Sequence, residues 1–141
     1  MQECELINSV YKTSEIGCVG IHAVLNRADD GDFRQALQNQ LAEYRKLQNE
    51  AATMISQCGG VKRDVAPMLR TCAKMTAKMQ LMRDSSSSQI AGMMIQGNTK
   101  GMVKSMQNLR AYRGDDLQAA TLARRLLETE LSNIEQMKPY L

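Results

Sequence analysis

Four stretches of this sequence repeat apolar residues every three or four positions, and near the middle of each the apolar stripe turns polar. The repeat is that of amphipathic helices, and the polar level restricts how such helices can assemble. Ser14 and Glu15 mark it in the first stretch, Gln40, Tyr44 and Gln48 in the second, Asn98 and Thr99 in the third, and Glu130 in the fourth. A buried polar group left without a partner costs about 1–3 kcal/mol, so these groups have to meet and pair. The expectation is an all-α, antiparallel four-helix bundle with a polar belt across its waist.

The spacing predicts a first helix over residues 3–27, with Ile7, Val10, Ser14, Cys18, Ile21 and Leu25 on one face. Gly31 among Asp29, Asp30 and Asp32 ends it, and so short a link makes the second helix, 32–57, run antiparallel. Phe33, Leu37, Leu41, Tyr44, Leu47, Ala51 and Ile55 form its inner face, and Cys58-Gly59-Gly60 supplies a left-handed C-cap. Pro67 opens an extra short helix over 67–83, lying between the second and third long ones. Met68, Cys72, Met75, Met79 and Met82 line one side of it, with Arg63, Arg70, Lys74 and Lys78 on the other. The serines at 85–88 cap a helix over 88–112, whose inner face reads Ala91, Ile95, Asn98, Thr99, Met102, Met106 and Leu109. Gly114-Asp115-Asp116 caps the last helix, 117–137, which turns Leu117, Ala120, Ala123, Leu127, Leu131 and Ile134 inward and stops before Pro139.

Composition agrees with this plan. With 141 residues, 43% hydrophobic and 23% charged, the chain suits a single folded domain, and 4% aromatics with two prolines favour helix over sheet. A formal charge of +3 is too small to imply nucleic acid, and the basic helix has no aromatics to stack on bases. No apolar run reaches the ~18 residues of a membrane span. The acidic start, Met1-Gln2-Glu3-Cys4-Glu5, is unlike a signal peptide, so a cytoplasmic address is expected. Cys4, Cys18, Cys58 and Cys72 have no zinc-ligand spacing. Cys4 and Cys18 lie about 21 Å apart along one helix, too far to bridge. Reduced, part-buried thiols are expected.

The element order resembles ferritin-like four-helix bundles, and in particular a small bacterial family of unknown function in that superfamily. A helix pair closes on Cys58-Gly59-Gly60, a short helix follows, and Gln96-Gly97-Asn98 stands mid-helix where that family often carries Arg-Gly-Glu. The resemblance covers nearly the whole chain and implies a metal site at the polar level. There, two helices give one Glu each and two give a Glu-x-x-His pair. This chain departs from the pattern on every helix. The first offers Glu15, the second Glu43-Tyr44-Arg45-Lys46, the third Asn98, and the fourth Glu130-Leu131-Ser132-Asn133; the single histidine is His22. Carboxylates without histidines, beside a lysine at a ligand position, do not neutralise two divalent cations. The implied site is degenerate, so catalytic, cofactor-binding and metal-ligating residues are all assigned as none.

The polar belt has two readings, a hydrogen-bond network fixing helix register or a cavity for a small ligand of unknown identity. His22 shares a stripe with Cys4, Tyr11 and Glu15, but no third group orients a catalytic pair. Eleven methionines suit copper(I) as well as adaptable packing. Gly97 and Gly101 form a GxxxG spacing, suited to close helix contact or self-association. The leading expectation is a non-enzymatic structural or protein-interaction role. The alternatives are a metal-binding protein (iron or copper) using Glu15, Glu43, Glu130 and His22, and a membrane-surface or partner-binding adaptor using the basic helix at 63–78.

Overall fold

A computed structural model describes residues 1–28, 31–60, 70, 73, 74 and 86–141. Its long elements are helices α1 (Glu3–Leu25), α2 (Gly31–Gln57), α3 (Ser87–Ala111) and α4 (Leu117–Met137), and a 3-10 turn (Lys138–Tyr140) follows α4. Among the described residues there is no strand, and no helix is long and apolar enough to cross a membrane. The short helix expected over 67–83 lies outside the described residues, apart from Arg70, Ala73 and Lys74, which are helical and exposed.

The helix ends follow the cap chemistry of the sequence. Gly59 (φ 88°) and Gly60 (φ 77°) take the left-handed conformation. The Gly60 N–H reaches back to the Ile55 carbonyl at 3.0 Å, closing α2 in a Schellman motif. Ser86 Oγ accepts the Gln89 N–H at 3.2 Å. Asp116 Oδ1 accepts the N–H groups of Gln118 at 2.8 Å and Ala119 at 3.0 Å, starting α4.

Contacts between helices fix their directions. Arg34 donates to the Leu25 carbonyl at 2.6 Å across the α1–α2 turn. The Met1 amino group donates to the Ala111 carbonyl at 3.2 Å, and Asn108 Nδ2 to Ser9 Oγ at 2.5 Å, so α3 runs antiparallel to α1. Gln40 donates to Gln136 at 2.9 Å, and Arg125 pairs with Glu50, which makes α4 antiparallel to α2. It follows that α1 and α4 are parallel and that α2 and α3 are parallel in turn, and Glu3 at the start of α1 and Asp116 at the start of α4 are close enough to perturb each other's carboxyl, Glu3 upward and Asp116 downward. The 27 residues of α2 span about 40 Å, and the connection over 58–86 has to return that distance before α3 begins.

The buried face of α2 is the one expected, Phe33, Leu37, Leu41, Tyr44, Leu47, Ala51 and Ile55, joined by Gln40. On α3 and α4 the faces are rotated from expectation. Ile90, Ala91, Met94, Asn98, Ser105 and Asn108 are buried on α3, whereas Met106 is 50% exposed. On α4 the buried set is Ala119, Ala120, Leu122, Ala123, Leu126, Glu130, Asn133 and Met137, while Leu117 and Leu131 face solvent at 77% and 45% exposure. The reason is chemical: the inner stripes of both helices run through polar residues, and a search for apolar periodicity slides to neighbouring leucines and methionines.

The expectation of reduced thiols is overturned at Cys4 and Cys58, which form a disulfide with Cα atoms 6.0 Å apart. Antiparallel α1 and α2 bring the first turn of one beside the last turn of the other, within the reach of a bridge. Cys18 is a buried free thiol, and Cys72 lies outside the described residues.

Candidate functional site

At mid-bundle the tyrosine and two asparagines close a network. Tyr44, 4% exposed, donates its hydroxyl to Asn98 Oδ1 at 2.8 Å. Asn133 Nδ2 donates to the same oxygen at 3.2 Å, and Asn98 Nδ2 donates to the Met94 carbonyl at 2.7 Å. One side chain from each of α2, α3 and α4 thus meets at Asn98, whose amide is satisfied on both sides. Asn133 is the member the belt left out. Its sequence signal was its place three residues after Glu130, on the same inner face.

Glu130 lies beside this network, 2% exposed, with Oε2 buried and without a hydrogen-bond partner. Burial pushes its carboxyl up to about 8, against the lowering pull of the Tyr44 hydroxyl. That hydroxyl has one proton, and it is directed at Asn98, so an ionised Glu130 would lack a good donor. Glu130 at neutral pH is therefore a neutral acid. The same burial raises the Tyr44 phenol well above its ordinary range.

Other residues expected in the belt go elsewhere. Ser14 is fully buried but turns its hydroxyl back to the Val10 carbonyl of its own helix at 2.7 Å. Gln40 is buried and bonded to Gln136, away from Asn98. Gln48 is half-buried and accepts from the Cys18 thiol at 3.9 Å. Thr99 is exposed and bonds the Ile95 carbonyl at 2.7 Å. Glu15 is half-buried on α1 beside Cys18, whose thiol is raised chiefly by burial. Among the remaining ligand candidates, Glu43 is exposed and paired with Lys46 at 3.3 Å, and exposed His22 lies 3.0 Å from Arg45 Nη2. Glu15, Glu43, Glu130 and His22 are not gathered: among the described residues, no three His, Cys, Asp or Glu side chains are placed to hold an ion. The basic face at 63–78 lies outside the described residues except for Arg70 and Lys74.

A cavity of about 310 Å³ leads from the surface between α1 and α3 to this network. Its walls are low because glycines build them, Gly17 and Gly20 on α1, Gly97 and Gly101 on α3. A Cβ at Gly17 would lie 2.6 Å from the Tyr44 ring, and one at Gly101 would lie 2.7 Å from Glu130 Oε1. These two glycines make room for the ring and the carboxyl. Gly97 differs, since a Cβ there would meet nothing within 4 Å; it opens onto empty space. Compared with protein-family models, curated proteins and solved structures, the chain finds no match in any of the three.

Proposed function

We propose that this chain is a non-catalytic, ferritin-like helical bundle with a structural or protein-interaction role, its metal level replaced by hydrogen bonds. The observation that carries the reading is the closed Tyr44–Asn98–Asn133 network beside Glu130. The Tyr44 hydroxyl and two carboxamides pair there beside a neutral acid, and such groups are poor ligands for iron or zinc. The ferritin-like part draws on helix direction: parallel α1 and α4, parallel α2 and α3, and a single long crossover between the two hairpins. The interaction part draws on α3, which leaves Val103 and Met106 exposed at 45% and 50%; a second copy of the chain is the simplest partner. The cytoplasmic address is opposed by the Cys4–Cys58 bridge, since disulfides persist mainly in oxidising compartments. Trapping thiols with an alkylating reagent at cell lysis decides that point.

Infrared difference spectroscopy of wild type and Glu130→Gln at neutral pH tests the network. The expected result is loss of a protonated-carboxyl C=O band in the variant. Loss of a carboxylate band instead would mean an ionised Glu130, and the metal-site alternative would regain its ligand.

A further inference from the structure

The cavity between α1 and α3 has a polar end and an apolar end. At the polar end the Glu130 carboxyl abuts Gly101, and Lys100 and Lys104 flank that glycine along α3. Lys104 lies about one helical turn beyond Gly101, so both ammonium groups can serve the same level. Toward the other end, Met93 and Met94 on α3 face Ile16 and Gly20 on α1. Glu130 is the only acid in the lining, and none of the ion pairs among the described residues uses Glu130, Lys100 or Lys104. Among the described residues the site thus holds two cations without counter-charges and a buried carboxyl oxygen without a partner. A volume of about 310 Å³ falls at the lower end of the range for small-molecule sites.

We propose that this cavity binds an apolar monocarboxylate, the ligand's carboxylate engaging Glu130 and the Lys100–Lys104 pair and its hydrocarbon body lying along Ile16, Met93 and Met94. Each part of the ligand answers a feature of the site. The carboxylate accepts a hydrogen bond from the neutral acid, the short, charge-assisted kind, and supplies the negative charge that the lysines lack. An ammonium ligand would meet two like charges at the same level. The hydrocarbon body replaces water against the methionine-lined walls. Gly97 leaves the passage between the two ends open. This inference does not rest on the non-catalytic reading: a bundle with or without a metal history could use such a slot.

The titratable groups that line the cavity with Glu130 are Tyr44 from α2 and the exposed Lys100 and Lys104 from α3, while α1 contributes uncharged Thr13 and Gly17; of these, Tyr44 acts on the Glu130 carboxyl. Affinity for a carboxylate is therefore expected to fall as pH rises through about 8, where Glu130 ionises and repels it. Glu130→Gln keeps a donor but loses the titration, and its affinity should stay level over that range.

The test is calorimetric titration with octanoate, 1-octanol and octylamine, each below its micelle-forming concentration, with amide NMR to locate the site. Octanoate should bind saturably and shift the amides of Ile16, Gly97 and Gly101. Charge reversal at Lys100→Glu/Lys104→Glu, both exposed positions, should weaken octanoate by about tenfold or more. Gly97→Phe, checked for folding by circular dichroism, should abolish binding by filling the passage. No octanoate binding to wild type would overturn the proposal, as would equal binding by the lysine variant. Octanol binding as tightly as octanoate would remove the carboxylate from the recognition. Tighter binding by octylamine would reverse its sign.

Discussion

If Glu130 is held neutral by burial, its proton has to appear in the stability of the fold. The ordinary carboxyl value is 4.5, and burial raises it to about 8 in the folded chain. Between those values the unfolded chain has lost this proton while the folded chain keeps it. The folded state then binds more protons, so stability falls as pH rises. The contribution is fully present below pH 4.5, declines through the window, and levels off above about pH 8, where both states are ionised. Each pH unit inside the window corresponds to ~1.4 kcal/mol, so from about pH 5 to pH 7 the loss is on the order of 3 kcal/mol. Glu130→Gln removes the titrating proton and leaves a side chain of similar shape. Urea unfolding of both proteins at intervals across that range isolates the effect, since every other titration is shared. The variant should gain on wild type by about 3 kcal/mol between pH 5 and pH 7. Parallel stability curves would refute the reasoning, because they would mean that Glu130 carries the same charge folded and unfolded.

Four further outcomes follow from named contacts. Gly17→Ala forces a Cβ to within 2.6 Å of the Tyr44 ring, which is held in place by Asn98, and should cost about 1–3 kcal/mol in chemical denaturation. Gly97→Ala meets nothing and should stabilise by up to about 1 kcal/mol through helix propensity; a loss there would show the cavity to be filled. Cys58→Ser opens a loop that the bridge to Cys4 closes over a separation of 54 residues, and should lower stability by about 2–4 kcal/mol, with no such difference once wild type is reduced. Tyr44→Phe should cost about 1 kcal/mol, the low end for a lost buried bond, because Asn133 still donates to Asn98. A variant as stable as wild type would count against the network.

Much of the frame was legible in the sequence. The turn chemistry at Gly59-Gly60 and Asp116 sets helix ends within a residue or two of those expected, and α2 presents the expected apolar face. The site was legible in outline only. Tyr44, Asn98 and Glu130 lie together, but Thr99 is exposed and Ser14 satisfies itself on its own backbone. Periodicity misjudged α3 and α4 because Ser105, Asn108 and Asn133, besides the expected Asn98 and Glu130, occupy inward positions that a hydrophobic pattern assigns to solvent. The Cys4–Cys58 bridge was missed for a different reason. Spacing along one helix separates Cys4 from Cys18, whereas antiparallel pairing of α1 and α2 sets Cys4 opposite Cys58. The cavity could not be read at all, since glycines signal an opening only once it is known what faces them.

The claim that a hydrogen-bond network stands where a metal centre would be is tested most directly by elemental analysis of the purified protein. It should be analysed as isolated and after anaerobic incubation with iron(II), zinc(II) and copper(I), followed by desalting. The account predicts no stoichiometric metal in any sample, with the thermal unfolding midpoint unchanged by the ions. A tightly held ion in stoichiometric amount, lost in Glu130→Gln, would contradict it and make the polar level a working metal site.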